Sequence, residues 1–367
     1  IAITALSQEK ITSTHTAGGP DLVKQVPNLT FSKTNFTGYN IQIRGIGTQA
    51  ISVTTDPAVA VAFNDIPFIR NHFFEQEFYD VAQVEVLRGP QGTLYGRNAT
   101  AGVVNVTSAK PSDQFEAVAS ADIGNYKNRR FEGMINLPIV DDRFDIRLAG
   151  EWTKRDGYSF NTLTNSPIDG RDLWSGRLSI SVKPIENLQA TLVWEHFSED
   201  DDRMRTAKQL CKTQPFPTEL DGMPVPAPYL SNNTGTVFDP TLHLSQSCEP
   251  VSLYSSEAFQ VPNGFSLPIY IAGVVQPILD GTVDPYANTV QSHDLRVIES
   301  TLNPQYKAKN DVVELNADYK LSPALTLTSQ TGFNHDFLWS TEDYNRFNTS
   351  PGRFGYVGDS QHPGSIL

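Results

Sequence analysis

From Gln114 onward apolar and polar residues alternate with period two, the spacing of strands that present one face to an apolar medium. Phe115, Ala117, Ala119, Ala121 and Ile123 share one face, and Phe131, Gly133, Ile135 and Leu137 share the next. Phe144, Ile146, Leu148, Gly150 and Trp152 continue the series opposite Asp145, Arg147, Ala149, Glu151 and Thr153. Trp174 to Val182, Leu188 to Trp194, Val313 to Leu321 and Leu325 to Phe333 complete seven predicted strands. Their connections are unequal in a regular way. Val140-Asp-Asp142, Pro184-Ile-Glu186 and Ser322-Pro-Ala324 are tight turns, whereas the alternate connections include residues 156 to 171 and about 199 to 310. Short turns at one end and long loops at the other are the arrangement of an outer-membrane barrel, whose tilted strands need about 9 to 11 residues each. Trp152, Trp174 and Trp194 fall near the long-loop ends, where an aromatic girdle belongs. A soluble sandwich is the other fold with this alternation.

Before Gln114 the pattern is mixed. Ile1 to Leu6 reads as a strand and Ser7-Gln-Glu-Lys10 as a helix start, interrupted by Gly18-Gly19-Pro20. Val84 to Leu87 and Val103 to Thr107 flank a segment holding Gly89, Pro90, Gly92, Gly96 and Gly102, which predicts strand, tight turns, strand, and no helix. Gly45-Ile-Gly47-Thr-Gln-Ala50, with Asp65 beyond it, matches a dinucleotide fingerprint. The β-branched run Ile51 to Thr55 and then Pro57 follow where that fingerprint needs a helix, so the nucleotide reading fails.

Composition narrows the classes. The chain has 367 residues, 39% of them apolar, with no apolar run near the 18 or so that a membrane helix requires. A formal charge of −13 excludes a basic nucleic-acid surface and leaves a barrel with acidic loops or lumen open. No nucleophile elbow, kinase signature or zinc-helix motif is present, and the seven histidines show no ligand spacing. The chain therefore predicts no metal site, no catalytic residues and no cofactor of its own.

Three blocks in order, Ile41-Gln-Ile-Arg-Gly-Ile-Gly47, Asp56 to Pro67 and Val84 to Thr107, resemble the plug domain of TonB-dependent outer-membrane receptors. The resemblance implies residues 1–110 as a plug and residues 111–367 as the N-terminal part of a transmembrane antiparallel β-barrel. About seven strands and an extracellular loop at about 199–310 fall in that part. Plugged barrels have about 22 strands, so the sequence is expected to stop inside an extracellular loop with the rest of the wall missing. The implied function is energised import of a scarce nutrient across the bacterial outer membrane. A ferric siderophore is the family's usual cargo, and glycans or aromatic small molecules are alternatives; any iron would travel with the ligand. The implied partners are the inner-membrane TonB-ExbB-ExbD complex, outer-membrane lipid and lipopolysaccharide, and a small-molecule ligand, with no nucleic acid. A surface receptor or adhesin with a static plug is the rival class. No TonB box is recognisable.

By the same resemblance Gly45, Gly89, Gly92, Gly96 and Gly102 are plug turn glycines, and Arg44 and Arg88 pair with wall glutamates to hold the plug. Gln49, Arg70, Asn71, His72, Phe73 and Phe74 are plug-apex ligand residues, because cations beside aromatics suit a flat ligand carrying acceptor oxygens. The alternative for the aromatics is plug core. Asp65-Ile66 stands where the family often has Asp-Gly, which leaves that turn open. Glu199-Asp-Asp-Asp202 is either a divalent-cation site or a solvated rim. Cys211 and Cys248 lie in one polar stretch. In an oxidising compartment they form a disulfide that orders the loop, stabilising it by about 4 kcal/mol in the chain-entropy account.

Overall fold

In a computed structural model of the chain the described residues are 2–33, 39–48, 55–68, 70–71, 76–203, 208–215, 217–227, 229–230, 237–238, 248–262, 286, 289–300 and 302–341. They divide into two compact units. One is made of residues 1–156, 170–206 and 305–340, the other of residues 157–169, 207–304 and 341–367.

The first unit opens with β1 (Ala2–Ser7) and α1 (Gln8–Ser13), where the Ser7 hydroxyl accepts from the Lys10 amide and caps the helix. After a 3-10 turn (Gly19–Lys24), β2 (Leu29–Lys33), β3 (Tyr39–Ile43) and β4 (Ile46–Gly47) form a small antiparallel sheet. Then come β5 (Val59–Phe63), β6 (Ile66–Pro67), β7 (Val81–Arg88), α2 (Gly92–Tyr95) and β8 (Gly102–Ser108). The main plug sheet has the order β1-β7-β8-β5-β6, with β5 parallel to β8. Every residue of β5 is buried, as in a strand covered on both faces, and Val59, Val61 and Phe63 join Ile41, Ile43, Val84, Val86 and Val104 in one core.

Both short hairpins turn on two left-handed residues, Arg44-Gly45 and Asn64-Asp65, the backbone that matches strand twist. The open question at Asp65-Ile66 is thus resolved one residue earlier: Asn64 and Asp65 make the turn and Ile66 begins β6. The glycine stretch departs from expectation. Gly92 to Tyr95 form one helical turn, closed by Gly96 at a φ of 76°. Gly102 is not a turn residue either. It lies in β8, where an added Cβ would stand 2.3 Å from the Leu87 carbonyl oxygen and 2.6 Å from Ile43 Cδ1.

The wall of this unit is a seven-stranded meander, each strand antiparallel to the next. It runs through β9 (Glu116–Gly124), β10 (Asn128–Val140), β11 (Phe144–Arg155), β12 (Arg171–Ile185), β13 (Leu188–Asp201), β14 (Gln305–Ser322) and β15 (Leu325–Thr341). All seven expected strands occur, but most are longer than 9 to 11 residues, β14 reaching 18. Outward alternation marks only the part of a strand against apolar surroundings, whereas ladder pairing continues where the outward face turns polar, as at Ser198, Asp200, Lys307 and Lys309. Trp152 and Trp174 are cross-strand partners near one rim, but Trp194 pairs with Leu178 and Val313 deeper in the band and is not part of that girdle.

The second unit carries a three-stranded ladder of Ser159–Asn161, Ser166–Ile168 and Val297–Ile298. Its Cys211 and Cys248 are disulfide-bonded with Cα atoms 5.1 Å apart, beside the ladder between Lys212–Thr213 and Cys248–Glu249.

Gly102→Ala is expected to cost about 1–3 kcal/mol through overpacking against rigid backbone. Gly92→Ala, which meets open space, should leave stability unchanged or raise it. Thermal unfolding of the two variants of the protein checks the contrast.

Candidate functional site

The first unit concentrates its charge where the segment Gln76 to Asp80 meets the inward face of the wall. Three arginines reach that segment, one from each of three neighbouring strands. The Arg147 guanidinium of β11 forks onto Asp80, with Nη2 2.6 Å from Oδ1 and Nε 2.9 Å from Oδ2, and its Nη1 also donates to Glu116. Arg130 of β10 donates from Nε to Glu77 Oε2 at 2.9 Å and from Nη2 to the Phe78 carbonyl. Arg177 of β12, with a side chain 3% exposed, donates to Glu195 at 2.6 Å and to the carbonyls of Tyr79 and Asp80. Its guanidinium also lies over the rings of Tyr79 and Phe63, at 4.6 and 5.3 Å.

Neutral groups complete the grip. Thr153 donates to Glu77, Gln76 to Glu195, and Asn64 to Glu314 at 2.7 Å, while Gln330 donates to the Asn64 carbonyl. These wall residues all sit at alternate positions of their strands, on the side away from the apolar face. Buried ions are tolerable only when paired and hydrogen-bonded, and the three arginines have both. Burial, reinforced by the Glu195 carboxylate, holds the Tyr79 phenol well above the ordinary tyrosine range.

The residues that grip here are not the two arginines that the resemblance named. Arg44 stands exposed at the tip of the β3–β4 turn, and Arg88 makes only long contacts inside the plug, to the Pro27 carbonyl and Thr4 Oγ1 at 3.4 Å. Among the described residues neither reaches a wall carboxylate; the wall supplies the cations and the plug the anions. Alternation placed Arg147 and Arg177 on inward faces, but an inward face carries many other polar residues. The signal therefore did not separate the gripping residues from their neighbours.

Of the apex residues, Gln49, His72, Phe73 and Phe74 lie outside the described residues. Arg70 is half-buried and donates to the Thr55 carbonyl at 3.0 Å, and Asn71 is buried. Phe68 belongs to the plug core, and Phe68 and Arg70 line a cleft with Phe197, Asn310, Asn334 and Asp336 of the wall. The acidic run is consumed by protein partners. Glu199 lies between Arg171 and Arg203, Asp200 pairs with Lys307, Asp201 accepts from two backbone amides, and Asp202 accepts from the Gly170 amide.

Comparison with known proteins fits this geometry. Residues 1–103 match the TonB-dependent Receptor Plug Domain. A 151-residue stretch, 40% of this chain and 18% of the relative, is 32% identical to the catecholate siderophore receptor Fiu of Escherichia coli K12. A 142-residue stretch is 25% identical to the pesticin receptor of Yersinia pestis, covering 38% of this chain and 21% of that protein. The solved ferric yersiniabactin uptake receptor FyuA of Yersinia pestis superposes with a TM-score of 0.61 at 14% identity, over 92% of this chain and 41% of that one. The matched stretch thus spans about a fifth of the length of the curated relatives.

Two outcomes test the grip. Arg147→Ala takes both short charged hydrogen bonds from buried Asp80, leaving it only Arg177 at 4.0 Å, and should loosen the plug by roughly 3 kcal/mol, seen as increased passive entry of large antibiotics; unchanged entry would mean that the pair holds nothing. For Tyr79 the folded state keeps the phenolic proton more tightly than the unfolded chain. Stability is therefore full below the ordinary tyrosine value and falls as pH rises through it toward the folded value. Alkaline unfolding should be steeper in the parent than in Tyr79→Phe.

Proposed function

From a chain that is the plug and the first part of the barrel wall of a TonB-dependent outer-membrane receptor, we propose an energised importer of a scarce nutrient, with a ferric siderophore as cargo. The observation that carries the reading is the grip on residues 76 to 80. A folded domain tied to the wall by buried charge pairs passes nothing unless it moves, and the outer membrane holds no nucleotide to move it. Work must arrive from the inner membrane, through the TonB-ExbB-ExbD complex pulling on the plug. The protein resides in the outer membrane among lipid and lipopolysaccharide, and it is a transporter with no reaction of its own.

Two features favour a siderophore over a neutral glycan. Fiu is a catecholate siderophore receptor and FyuA a ferric yersiniabactin uptake receptor by name. The cleft beside Phe68 also brings a guanidinium, Arg70, next to aromatic surface and amides, which suits a flat ligand with anionic oxygens better than an uncharged sugar. The alternate positions of the wall strands follow the demands of any barrel, so selectivity falls to the apex segment and the loops.

The test uses the whole protein in iron-limited cells. Uptake of radiolabelled ferric catecholates should require both this receptor and an intact TonB complex; uptake that persists without TonB would overturn the coupling, and ligand binding without any uptake would leave a static-plug receptor. Arg70→Ala with His72→Ala should weaken binding of the transported ligand by about 2–4 kcal/mol through lost charged hydrogen bonds, with membrane insertion unchanged. Calorimetric titration of parent and double variant decides it, and equal affinities would place recognition in the loops.

A further inference from the structure

A second part of the plug meets the wall through different chemistry. Asn64 and Asp65 form the tip of the β5–β6 hairpin, and the strands that receive it are β14 and β15, away from the arginines of β10 to β12. Asn64 is held from both sides of this contact. Its side-chain oxygen accepts from the Ser108 amide at 2.8 Å and from the Ser108 hydroxyl, which ties it to the plug. Its side-chain amide donates to Glu314 of β14, and its backbone carbonyl accepts from Gln330 of β15 at 2.6 Å. Asp65 stiffens the tip from within, accepting from the Tyr95 hydroxyl and the Asn105 amide.

The next residue is a knob. Ile66 stands where the family often has glycine, and its side chain lies against Gly332 on the inward face of β15, two residues from Gln330. A Cβ at position 332 would stand 2.5 Å from Ile66 Cδ1 and 3.0 Å from its Cγ2. The Cδ1 end can swing aside, but Cγ2 is fixed by the branched Cβ, so glycine is what leaves room for this side chain. An enlarged plug residue and the smallest wall residue thus fit each other. On β14 the inward position next to Glu314 is Val312, which is buried in the plug's apolar cluster. These contacts join no cation to an anion. On separation the charged grip at residues 76–80 loses its pairs and regains water, whereas the knob loses packing and exposes hydrocarbon.

We propose that Ile66 in the Gly332 recess, with Asn64 tied to Glu314 and Gln330, is a seat that holds while the charged grip opens. The plug then turns about the hairpin and does not leave the lumen as a body. This rests on the reading that the plug moves during import. The two attachments lie on different parts of the plug: in the sheet order β1-β7-β8-β5-β6 the hairpin occupies one edge, while residues 76–80 lead into β7. A knob in a recess resists sliding along the strand but leaves rotation about it free, so the path opens on the side of β10 to β12. Departure of the whole plug would break the seat as well, and that difference is what the experiment reads.

The experiment ties the seat shut in the whole protein. Ile66 Cβ, one bond from Cγ2, lies about 3.5–4.5 Å from a Cβ at position 332, the span of a disulfide. Ile66→Cys with Gly332→Cys should therefore cross-link, and non-reducing peptide mapping gives the cross-linked fraction. In iron-limited cells the cross-linked protein should take up a radiolabelled ferric catecholate as fast as the same protein after reduction. With Gln76→Cys added, a position buried at rest, the new thiol should become open to alkylation during uptake while the cross-link is closed. Uptake lost on cross-linking and regained on reduction would overturn the seat, and so would a position 76 thiol that is alkylated only with the cross-link open. The parent, whose Cys211–Cys248 bond meets the same reductant, is the control.

The fit of the two side chains is read separately. Gly332→Leu should raise passive entry of large antibiotics several-fold, and adding Ile66→Gly should restore the parent's seal. Entry that stays high in the double variant would overturn the pairing of Ile66 with Gly332. A parent that takes up the catecholate without TonB overturns the importer reading, whereas loss on cross-linking in a receptor that still needs TonB overturns the seat alone.

Discussion

The buried guanidinium of Arg177 is the constraint on which the first unit depends. A charge taken this far from water persists only with its hydrogen bonds filled, and Arg177 fills them with one wall carboxylate, Glu195, and the backbone carbonyls of Tyr79 and Asp80. Because carbonyls are fixed by the backbone, this arrangement locates the chain at residues 79 and 80 whatever their side chains are. Arg130 and Arg147 then add side-chain charge on either side, at Glu77 and Asp80. One short segment thus receives three cations from consecutive wall strands, and the strands are placed to deliver them by the meander register.

The grip is polar while the plug core is apolar, and that difference decides which gives way under load. Val59, Phe63, Val84 and Val104 are buried among one another, and separating them exposes hydrocarbon to water. The ion pairs around Gln76 to Asp80 lose their partners on separation but regain water, so their net contribution is smaller than their number suggests. The contact is not polar alone, since Val193 and Val312 of the wall belong to the same apolar cluster, and separating the two sides also exposes their hydrocarbon.

Charge placement follows the same logic on both faces of the wall. Inward, arginines are paired and buried; outward, at the rim, Lys154 and Lys307 each face an aspartate above an aromatic row. The second unit is held differently. There a disulfide, short ladders and the buried Asn161 amide, bonded to the Ser300 carbonyl and Asn303, fix connections too polar to build a large core.

Period-two alternation by itself determined the seven wall strands and which side of each is apolar, because a strand against hydrocarbon leaves no freedom in its parity. Local chemistry likewise determined the helix start at Ser7, the strand pair around Val86 and Val104, and the proximity of Cys211 to Cys248 in an ordered loop. Strand ends escaped, since pairing above the apolar band needs no alternation. The turn at Gly92 escaped too, because glycine permits helix as well as turn. What only the tertiary structure decided is the direction of the charge pairs. An arginine in a motif such as Ile-Arg-Gly or Leu-Arg-Gly declares its charge and not its partner. Whether Arg44 or Arg147 becomes the anchor depends on which carboxylate the fold brings within 3 Å, and that distance is set by residues far apart in the chain.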